Sequence, residues 1–259
     1  MRLSFIFLYI FISLINPLSA EEAMDKFKIL QEFENFYETM QPAQEKNEHY
    51  FIWFSGIPHP LFNAIMHLSC DENVNETVDS IIHAAPYNTP ISFWLHSQNQ
   101  TENLKEIITK KGFHPIIVCP LMSWSTQSID MPPCDIQPAN MEIFHDILAA
   151  TFHFDKAIKE GYAHLLERAN AENYLLYLDG KPIGTGTLFF NGKVGAVFNI
   201  AILPDYQKNG YGKILMQFLM QKAYALNAEK LILLSSPDAE KLYLKLGFKK
   251  ELDIEIYAH

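Results

Sequence analysis

Residues 199–212, which read NIAILPDYQKNGYG, constrain the fold of this chain more than any other segment. An apolar strand runs into a short loop with two glycines, and the loop runs into an amphipathic helix. The first amides of a helix are unpaired and lie at the positive end of its dipole, and glycine lets a ligand approach the backbone closely. The segment therefore predicts a cradle for an anion such as a pyrophosphate, although a Gly-x-Gly pair alone is equally typical of an ordinary helix entry.

The loop differs from the two common phosphate-binding motifs. It lacks the Gly-Lys-Ser/Thr of a Walker loop, and Gly-x-Gly-x-x-Gly is absent as well. The pattern around it predicts two helices, three strands, a helix, a strand, a helix and a last strand, at residues 141–152, 158–169, 173–178, 181–190, 195–203, 212–226, 230–235, 239–246 and 251–257. An antiparallel meander followed by crossover helices gives a mixed α/β sheet.

The first half of the chain predicts a smaller α/β unit over residues 21–130. Its expected elements are a helix, a strand, two short helices, a strand, a helix and a strand, at residues 22–40, 50–54, 61–68, 74–84, 91–96, 102–110 and 114–124. Residues 128–139 contain three prolines and are the predicted linker.

Two motifs of the second half resemble the signatures of the GNAT N-acetyltransferase superfamily. Gln207-x-x-Gly210-x-Gly212, after a strand that exits at Pro204, is similar to the acetyl-CoA loop Arg/Gln-x-x-Gly-x-Gly/Ala. Residues 236–248 (SPDAEKLYLKLGF) resemble Asn/Ser-x-x-Ala-x-x-Leu-Tyr-x-x-Leu-Gly-Phe. The resemblance covers residues 135–259 and implies the acyl-CoA N-acyltransferase fold, a mixed-sheet α/β (α+β) architecture.

The resemblance also implies an acetyl-CoA site. The strand before the loop would pair with the pantetheine arm, and the loop and helix amides would hold the pyrophosphate. The implied cofactor-binding residues are Ile200, Ala201, Ile202, Leu203, Gln207, Lys208, Asn209, Gly210, Tyr211, Gly212 and Lys213. Tyr243 matches the family tyrosine that protonates the leaving thiolate; the alternative is a helix residue that packs on the sheet.

The implied reaction is direct transfer of an acetyl group from acetyl-CoA to a small-molecule or peptide primary amine. A backbone N–H of the strand can stabilise the charge that develops on the carbonyl oxygen. The general base is not determined, because residues 195–203 contain no acid and Asn199 is their only polar side chain. His153, Asp155 and Glu160 could act through a water chain, each of them also fits a solvated surface position, and the amine could arrive already deprotonated.

Residues 21–130 resemble a degenerate copy of the same fold. The segment LKEIITKKGF at 104–113 echoes AEKLYLKLGF at 239–248, and Ile108 falls where Tyr243 stands. No Gln-x-x-Gly-x-Gly occurs upstream. This half is interpreted as a wall of the substrate cleft, or alternatively as a scaffold.

Residues 1–20 have the pattern of a secretory signal. Arg2 precedes an apolar run over residues 3–15, and small residues follow before Glu21. The run is shorter than a bilayer requires, so cleavage after Ala20 and no stable membrane insertion after signal removal are expected; an uncleaved anchor and a buried or extended N-terminal segment are the alternatives. Export conflicts with the use of acetyl-CoA, a cytosolic metabolite, and the localisation stays open.

Charge and metal-ligand spacing limit the partners. A net charge of -10 gives no basic face for nucleic acid and favours cationic amines. The three cysteines match no zinc or redox spacing, and no histidine pair has helical i, i+4 spacing, so no metal is predicted. A non-catalytic CoA-binding pseudo-acetyltransferase and an exported binding protein are the alternative functions, and the sequence does not specify the oligomeric state.

Overall fold

The computed structural model describes residues 20–69, 73–96 and 103–259. The signal-like segment 1–19 and the start of the predicted helix 102–110 lie outside these ranges. No helix within them is both long and apolar enough to cross a membrane.

Strands and helices occur along the whole of the described chain. The strands are β1 (Glu45–Lys46), β2 (Phe51–Phe54), β3 (Asn63–Met66), β4 (Ser92–His96), β5 (His114–Ser125), β6 (Asp135–Pro138), β7 (Ala171–Leu178), β8 (Lys181–Phe190), β9 (Val194–Ile202), β10 (Lys230–Leu234) and β11 (Lys249–Ala258). The helices are α1 (Ala20–Met40), α2 (Val74–Ala84), α3 (Leu104–Lys110), α4 (Met141–Phe152), α5 (Lys156–Arg168), α6 (Tyr211–Ala225) and α7 (Glu240–Lys245). Short 3-10 turns occur at Pro60–Phe62 and Pro204–Tyr206.

All eleven strands belong to one mixed sheet, in the order β1-β2-β3-β4-β11-β5-β10-β9-β8-β7-β6. Two neighbouring pairs are parallel, β3 with β4 and β9 with β10, and the other pairs are antiparallel. A parallel pair needs a crossover connection, and α2 and α6 provide the two crossovers. The predicted mixed α/β fold is thus confirmed.

The two halves of the chain exchange their last strands. β5, from the first half, lies between β10 and β11, and β11, from the second half, lies between β4 and β5. The element order β2-β3-α2-β4-α3-β5 is repeated as β8-β9-α6-β10-α7-β11. The division into residues 21–130 and 135–259 stays a prediction, and the sheet itself crosses it without interruption.

Helices cover both faces of the sheet. On one face, α1, α4 and α5 pack on an apolar cluster that extends from β2 to β7. On the other face, α6 and α7 cover the second half, and α2 and α3 cover the first. Side chains that alternate along each strand supply the two faces: Ile232 of β10 belongs to the first cluster, and Leu231 and Leu233 belong to the second.

Two predicted elements are wrong. The expected helix 61–68 is a 3-10 turn followed by β3, because its short apolar run fits a buried strand as well as a helix. Asn63, which is fully buried, donates its side-chain amide to the carbonyls of Ile57 and Pro90 and so fixes the start of β3. The expected linker 128–139 contains β6, an edge strand that pairs with β7 and tolerates proline because one edge stays free.

A loop of the first half rests on α5 of the second half. A Cβ on Gly161 would lie 2.8 Å from Cγ1 of Ile57, so the contact requires glycine there. The ring of Phe62 lies 4.9 Å from the ring of Tyr162, measured between centroids. The first half therefore packs directly against α5.

The strand exchange predicts that the second half does not fold alone. A fragment of residues 131–259 loses β5, the strand between β10 and β11, and exposes two unpaired edges. We expect it to show no cooperative thermal transition by circular dichroism, whereas co-production with residues 20–130 restores a soluble complex that melts cooperatively. A monodisperse 131–259 fragment with dispersed amide resonances would contradict this expectation.

Candidate functional site

The parallel strands β9 and β10 separate halfway along their length. They pair from Val194 opposite Lys230 to Val197 opposite Leu233. Beyond Val197, β9 pairs with β8 alone within the described chain, while β10 ends at Leu234. A wedge opens between the two strands, and backbone groups of β9 line one side of it.

A bulge in β9 marks the point of separation. Asn199 has a φ of 57°, and Asn199 and Ile200 together stand opposite Gly186 of β8. A bulge bends its strand and increases the local twist. The wedge therefore results from the backbone conformation at Asn199.

Hydrogen bonds fix the side chain and backbone of Asn199. The Tyr162 hydroxyl donates to Oδ1 of Asn199 over 2.7 Å, and Nδ2 of Asn199 donates to Oγ1 of Thr187 over 3.0 Å. Thr185 donates its hydroxyl to the carbonyl of Asn199 over 2.8 Å. A neutral amide held in this way orients its neighbours but cannot take up a proton.

The glycine loop follows the wedge directly. Lys208 and Gly210 both have positive φ, 62° and 87°. Nε2 of Gln207 donates to the carbonyl of Ile202 over 2.9 Å, and Nδ2 of Asn209 donates to the carbonyl of Gln207 over 3.1 Å. The side chains of Gln207 and Asn209 thus brace the loop, which leaves its backbone to face a ligand.

The N-terminus of α6 presents unpaired amides. Gly210 is the N-cap and has no side-chain cap, and its carbonyl accepts the N–H groups of Lys213 and Ile214. Among the described residues, no acceptor contacts the amides of Gly210, Tyr211 or Gly212. With the helix dipole and the exposed side chains of Lys208 and Lys213, this terminus can bind a polyphosphate.

The predicted cofactor-binding residues lie on three successive elements of the chain. They lie on β9 and just after it (Ile200, Ala201, Ile202, Leu203), in the loop (Gln207, Lys208, Asn209, Gly210) and in the first turn of α6 (Tyr211, Gly212, Lys213).

Tyr243 lies on α7, which packs beside the start of α6. A Cβ on Gly212 would lie 3.6 Å from Cδ2 of Leu242, the residue before Tyr243. The Tyr243 side chain is 6% exposed, and its ring lies 5.8 Å from that of Phe248. Burial raises the pKa of Tyr243 to about 12. Tyr243 is therefore a core residue that keeps its proton throughout the neutral range.

The three candidate bases of the second half are exposed. Asp155 caps α5, because its carboxylate accepts the N–H of Ile158 over 2.9 Å. His153 ends α4 with a φ of 56°. Glu160 lies 3.7 Å from Nζ of Lys156. None of these contacts involves β9, so the geometry does not join these three residues to the wedge.

Sequence reasoning missed an aromatic cluster next to the bulge, because its rings come from distant parts of the chain. Phe198, directly before the bulge, stacks on Phe36 of α1 with ring centroids 3.6 Å apart. Phe33 lies 5.4 Å from the same ring.

No group of three or more His, Cys, Asp or Glu side chains in the described part of the chain could hold a metal ion.

The chain is similar to known acetyltransferases in sequence. The profile of the acetyltransferase (GNAT) family matches residues 141–248. An uncharacterized N-acetyltransferase of Bacillus subtilis, CgeE, is 37% identical over 73 residues, which are 27% of this chain and 28% of the relative. A glucosamine 6-phosphate N-acetyltransferase of Schizosaccharomyces pombe is 31% identical over 84 residues, which are 29% of this chain and 76% of that protein.

The sequence matches are partial, and the structural ones are broader. The chain spans only about a third of three of its curated relatives, 28% to 36% of their length. A GCN5-related N-acetyltransferase from Kribbella flavida has a TM-score of 0.63 at 15% identity, over 85% of this chain and 91% of that one. A functionally unknown conserved protein from Staphylococcus epidermidis has a TM-score of 0.61 at 17% identity, over 83% and 92% of the two chains. At these identities the likeness shows the fold alone.

Gly210→Asp tests the anion cradle. A carboxylate at this position would repel a phosphate from the unpaired amides, while aspartate tolerates positive φ and can cap the helix. We expect the Kd for acetyl-CoA in calorimetric titration to rise at least about 10-fold, about 1.4 kcal/mol.

Gly192→Asp is the matched control. Gly192 also has positive φ, 95°, and a Cβ on either glycine meets nothing within 4 Å. It lies in the turn between β8 and β9, at the opposite end of β9 from the loop. An equal loss of affinity in both variants, or in neither, would contradict the assignment of the loop.

Proposed function

This chain belongs to the GNAT acetyltransferase family, and we propose that its site moves an acetyl group from acetyl-CoA to a primary amine. Membership of the family implies acyl transfer from an acyl-CoA. The observation that carries the proposal is the wedge between β9 and β10, which ends at a glycine loop with unpaired amides at 210–212. An elongated ligand with a polyphosphate at one end fits this arrangement.

The backbone supplies the groups that would bind acetyl-CoA. The pyrophosphate would lie on the amides of Gly210, Tyr211 and Gly212, where it gains from the helix dipole. The pantetheine amides would pair with the unpaired edge of β9 after Val197. This binding uses main-chain groups, and so it depends on loop conformation more than on side-chain identity.

The chemistry is a direct displacement at the thioester. The neutral amine nitrogen attacks the carbonyl carbon and the N–C bond forms, the nitrogen loses one proton to solvent, and the C–S bond breaks to release the CoA thiolate. A β9 amide near the bulge would stabilise the developing oxyanion. Tyr243 would donate a proton to the departing sulfur, which its raised pKa permits at any neutral pH.

The acceptor is a primary amine of small-molecule or peptide type. The Schizosaccharomyces pombe relative is named for glucosamine 6-phosphate, which makes amino sugars one class to examine. The net charge of -10 favours cationic amines in general.

A second candidate is a protein that binds CoA without catalysis. One observation favours it: Asn199, held by Tyr162 and Thr187, stands on the strand where many family members carry an acid. An intact anion cradle beside a protonated Tyr243 favours the enzyme.

Tyr243→Phe separates the two candidates. The proposal predicts that the wild-type chain binds acetyl-CoA and releases CoA thiol with glucosamine 6-phosphate, spermidine or a lysine peptide as acceptor. In Tyr243→Phe we expect kcat to fall about 100-fold, because the proton donor is lost, with Kd for acetyl-CoA within two-fold. Because the pKa of Tyr243 is about 12, kcat should show no alkaline loss from this group below about pH 10.

Tyr224→Phe is the control, because Tyr224 lies on α6 and is 43% exposed. Its kcat should equal that of the wild type. Tight binding of acetyl-CoA without turnover of any amine would favour the non-catalytic candidate, and an unchanged kcat in Tyr243→Phe would remove Tyr243 from the mechanism.

A further inference from the structure

The strand β10 ends between two strands that continue. Leu233 stands opposite Val197 of β9 on one side and opposite Met122 of β5 on the other. β10 ends one residue later, at Leu234, whereas β9 runs on to Ile202 and β5 extends back towards its own start. The wedge is therefore bordered by β9 of the second half and by β5 of the first half.

Apolar side chains border the wedge on the face of the sheet that α1 and α5 cover. Phe198 of β9, Leu234 of β10 and Ile117 of β5 pack against the cluster on this face, and each keeps part of its surface exposed. Helix α1 contacts both α5 and β9. Helix α6, which begins at the glycine loop, packs on the opposite face. A second substrate can therefore approach β9 from the α1 face without meeting a polyphosphate.

Two tyrosines, one from each of these helices, stand beside consecutive residues of β9. The ring of Tyr37 of α1 lies 6.4 Å from the ring of Phe198, and the hydroxyl of Tyr162 of α5 donates to Oδ1 of Asn199 over 2.7 Å. Burial raises the pKa of Tyr37 far above its ordinary value, and the nearby Tyr162 and Cys119 raise it further. Burial also raises the pKa of Tyr162. Both phenols therefore keep their protons at neutral pH.

The hydroxyl of Tyr37 is not used by the fold. It has no hydrogen-bond partner among the described residues, and it keeps some contact with solvent. A phenol can accept a hydrogen bond from an N–H group as well as donate one. Because Tyr37 stays protonated, its hydroxyl can orient an amine but does not act as the base.

Uncharged aromatic rings surround the two tyrosines. The ring of Trp53 lies 5.0 Å from that of Tyr37, and the ring of Trp94 lies 6.2 Å from it. The ring of Phe62, which is partly exposed, lies 4.9 Å from that of Tyr162. Such surroundings stabilise an apolar group, whereas a phosphate or a second ammonium would lose its hydration without gaining an opposite charge from these side chains.

We propose that the α1 face of the wedge is the acceptor site, and that it takes a primary amine with an aromatic or aliphatic body, positioned by the hydroxyl of Tyr37. The inference rests on the proposed function. The neutral amine donates one N–H to the oxygen of Tyr37, and its apolar body packs on Phe198, Phe62 and Ile117. The proton lost on attack passes to solvent. The first half thus contributes to acceptor binding through α1, β5 and the loop before β3.

The choice of amine tests the class of acceptor. We expect kcat/KM for phenethylamine to exceed that for ethylamine at least about 10-fold, because the phenyl group is buried in the site. Glucosamine 6-phosphate and spermidine should be poorer still. Calorimetric titration of each amine into the complex of the full chain with CoA gives a readout without turnover, and phenethylamine should bind most tightly. Tighter binding of glucosamine 6-phosphate or spermidine would overturn the proposal.

Tyr37→Phe tests the positioning hydroxyl. The variant removes one hydrogen bond to the amine, so kcat/KM for phenethylamine should fall about five-fold. The melting temperature should not fall, since no protein group loses a partner, and the Kd for acetyl-CoA should stay within two-fold. A hydroxyl without contact to the acceptor would leave kcat/KM unchanged, and that result would overturn the role of Tyr37.

Tyr177→Phe is the matched control. Tyr177 is another partly exposed tyrosine that packs on the same cluster, but it lies on β7, which β8 separates from β9. Its kcat/KM for phenethylamine should equal that of the wild type. Equal turnover of phenethylamine and ethylamine by the wild type would overturn the apolar acceptor site and leave the transferase function intact. Failure of the proposed function is a separate result, namely that the wild-type chain shows no acetyl-CoA binding by calorimetry.

Discussion

The antiparallel pairing of β5 with β11 holds this molecule together. β5 is the last strand of the first half and lies next to β10 of the second half. β11 is the last strand of the second half and lies next to β4 of the first half. Backbone hydrogen bonds therefore connect the halves across the middle of a single sheet, which a flexible interface between domains would not do. Because β5 and β11 fix the position of β4 relative to β10, they also fix the position of the first half relative to the wedge.

The wedge itself depends on a local departure from regular strand geometry. The bulge at Asn199 leaves the edge of β9 unpaired, which would be costly if the surrounding polar groups were also unpaired. Tyr162, Thr187 and Thr185 satisfy the side chain and the carbonyl of Asn199. The edge of β9 that faces away from β8 after Val197 is therefore next to a bulge whose own polar groups are hydrogen-bonded.

The sequence allowed prediction of the features that depend on neighbouring residues. The glycine loop, the helix after it and the position of Tyr243 on α7 follow from local spacing and periodicity. Residues 61–68 and β6 were misassigned, because tertiary pairing decides whether a short apolar or proline-containing run becomes a strand. The strand exchange and the contact of Phe36 with Phe198 join residues far apart in the chain, and no local pattern contains them.

The exchanged strands also determine when the molecule can fold during its own synthesis. The first half has β4 as an incomplete edge until residues 249–258 have left the ribosome and inserted beside it. For most of translation, an apolar sheet edge is exposed to other nascent chains, a condition in which edge pairing leads to misassembly. This topology joins the two halves in one continuous sheet, but the first half cannot complete its part of the sheet before the second half has been synthesised. The early strands therefore depend on protection by the cell until the last strand arrives.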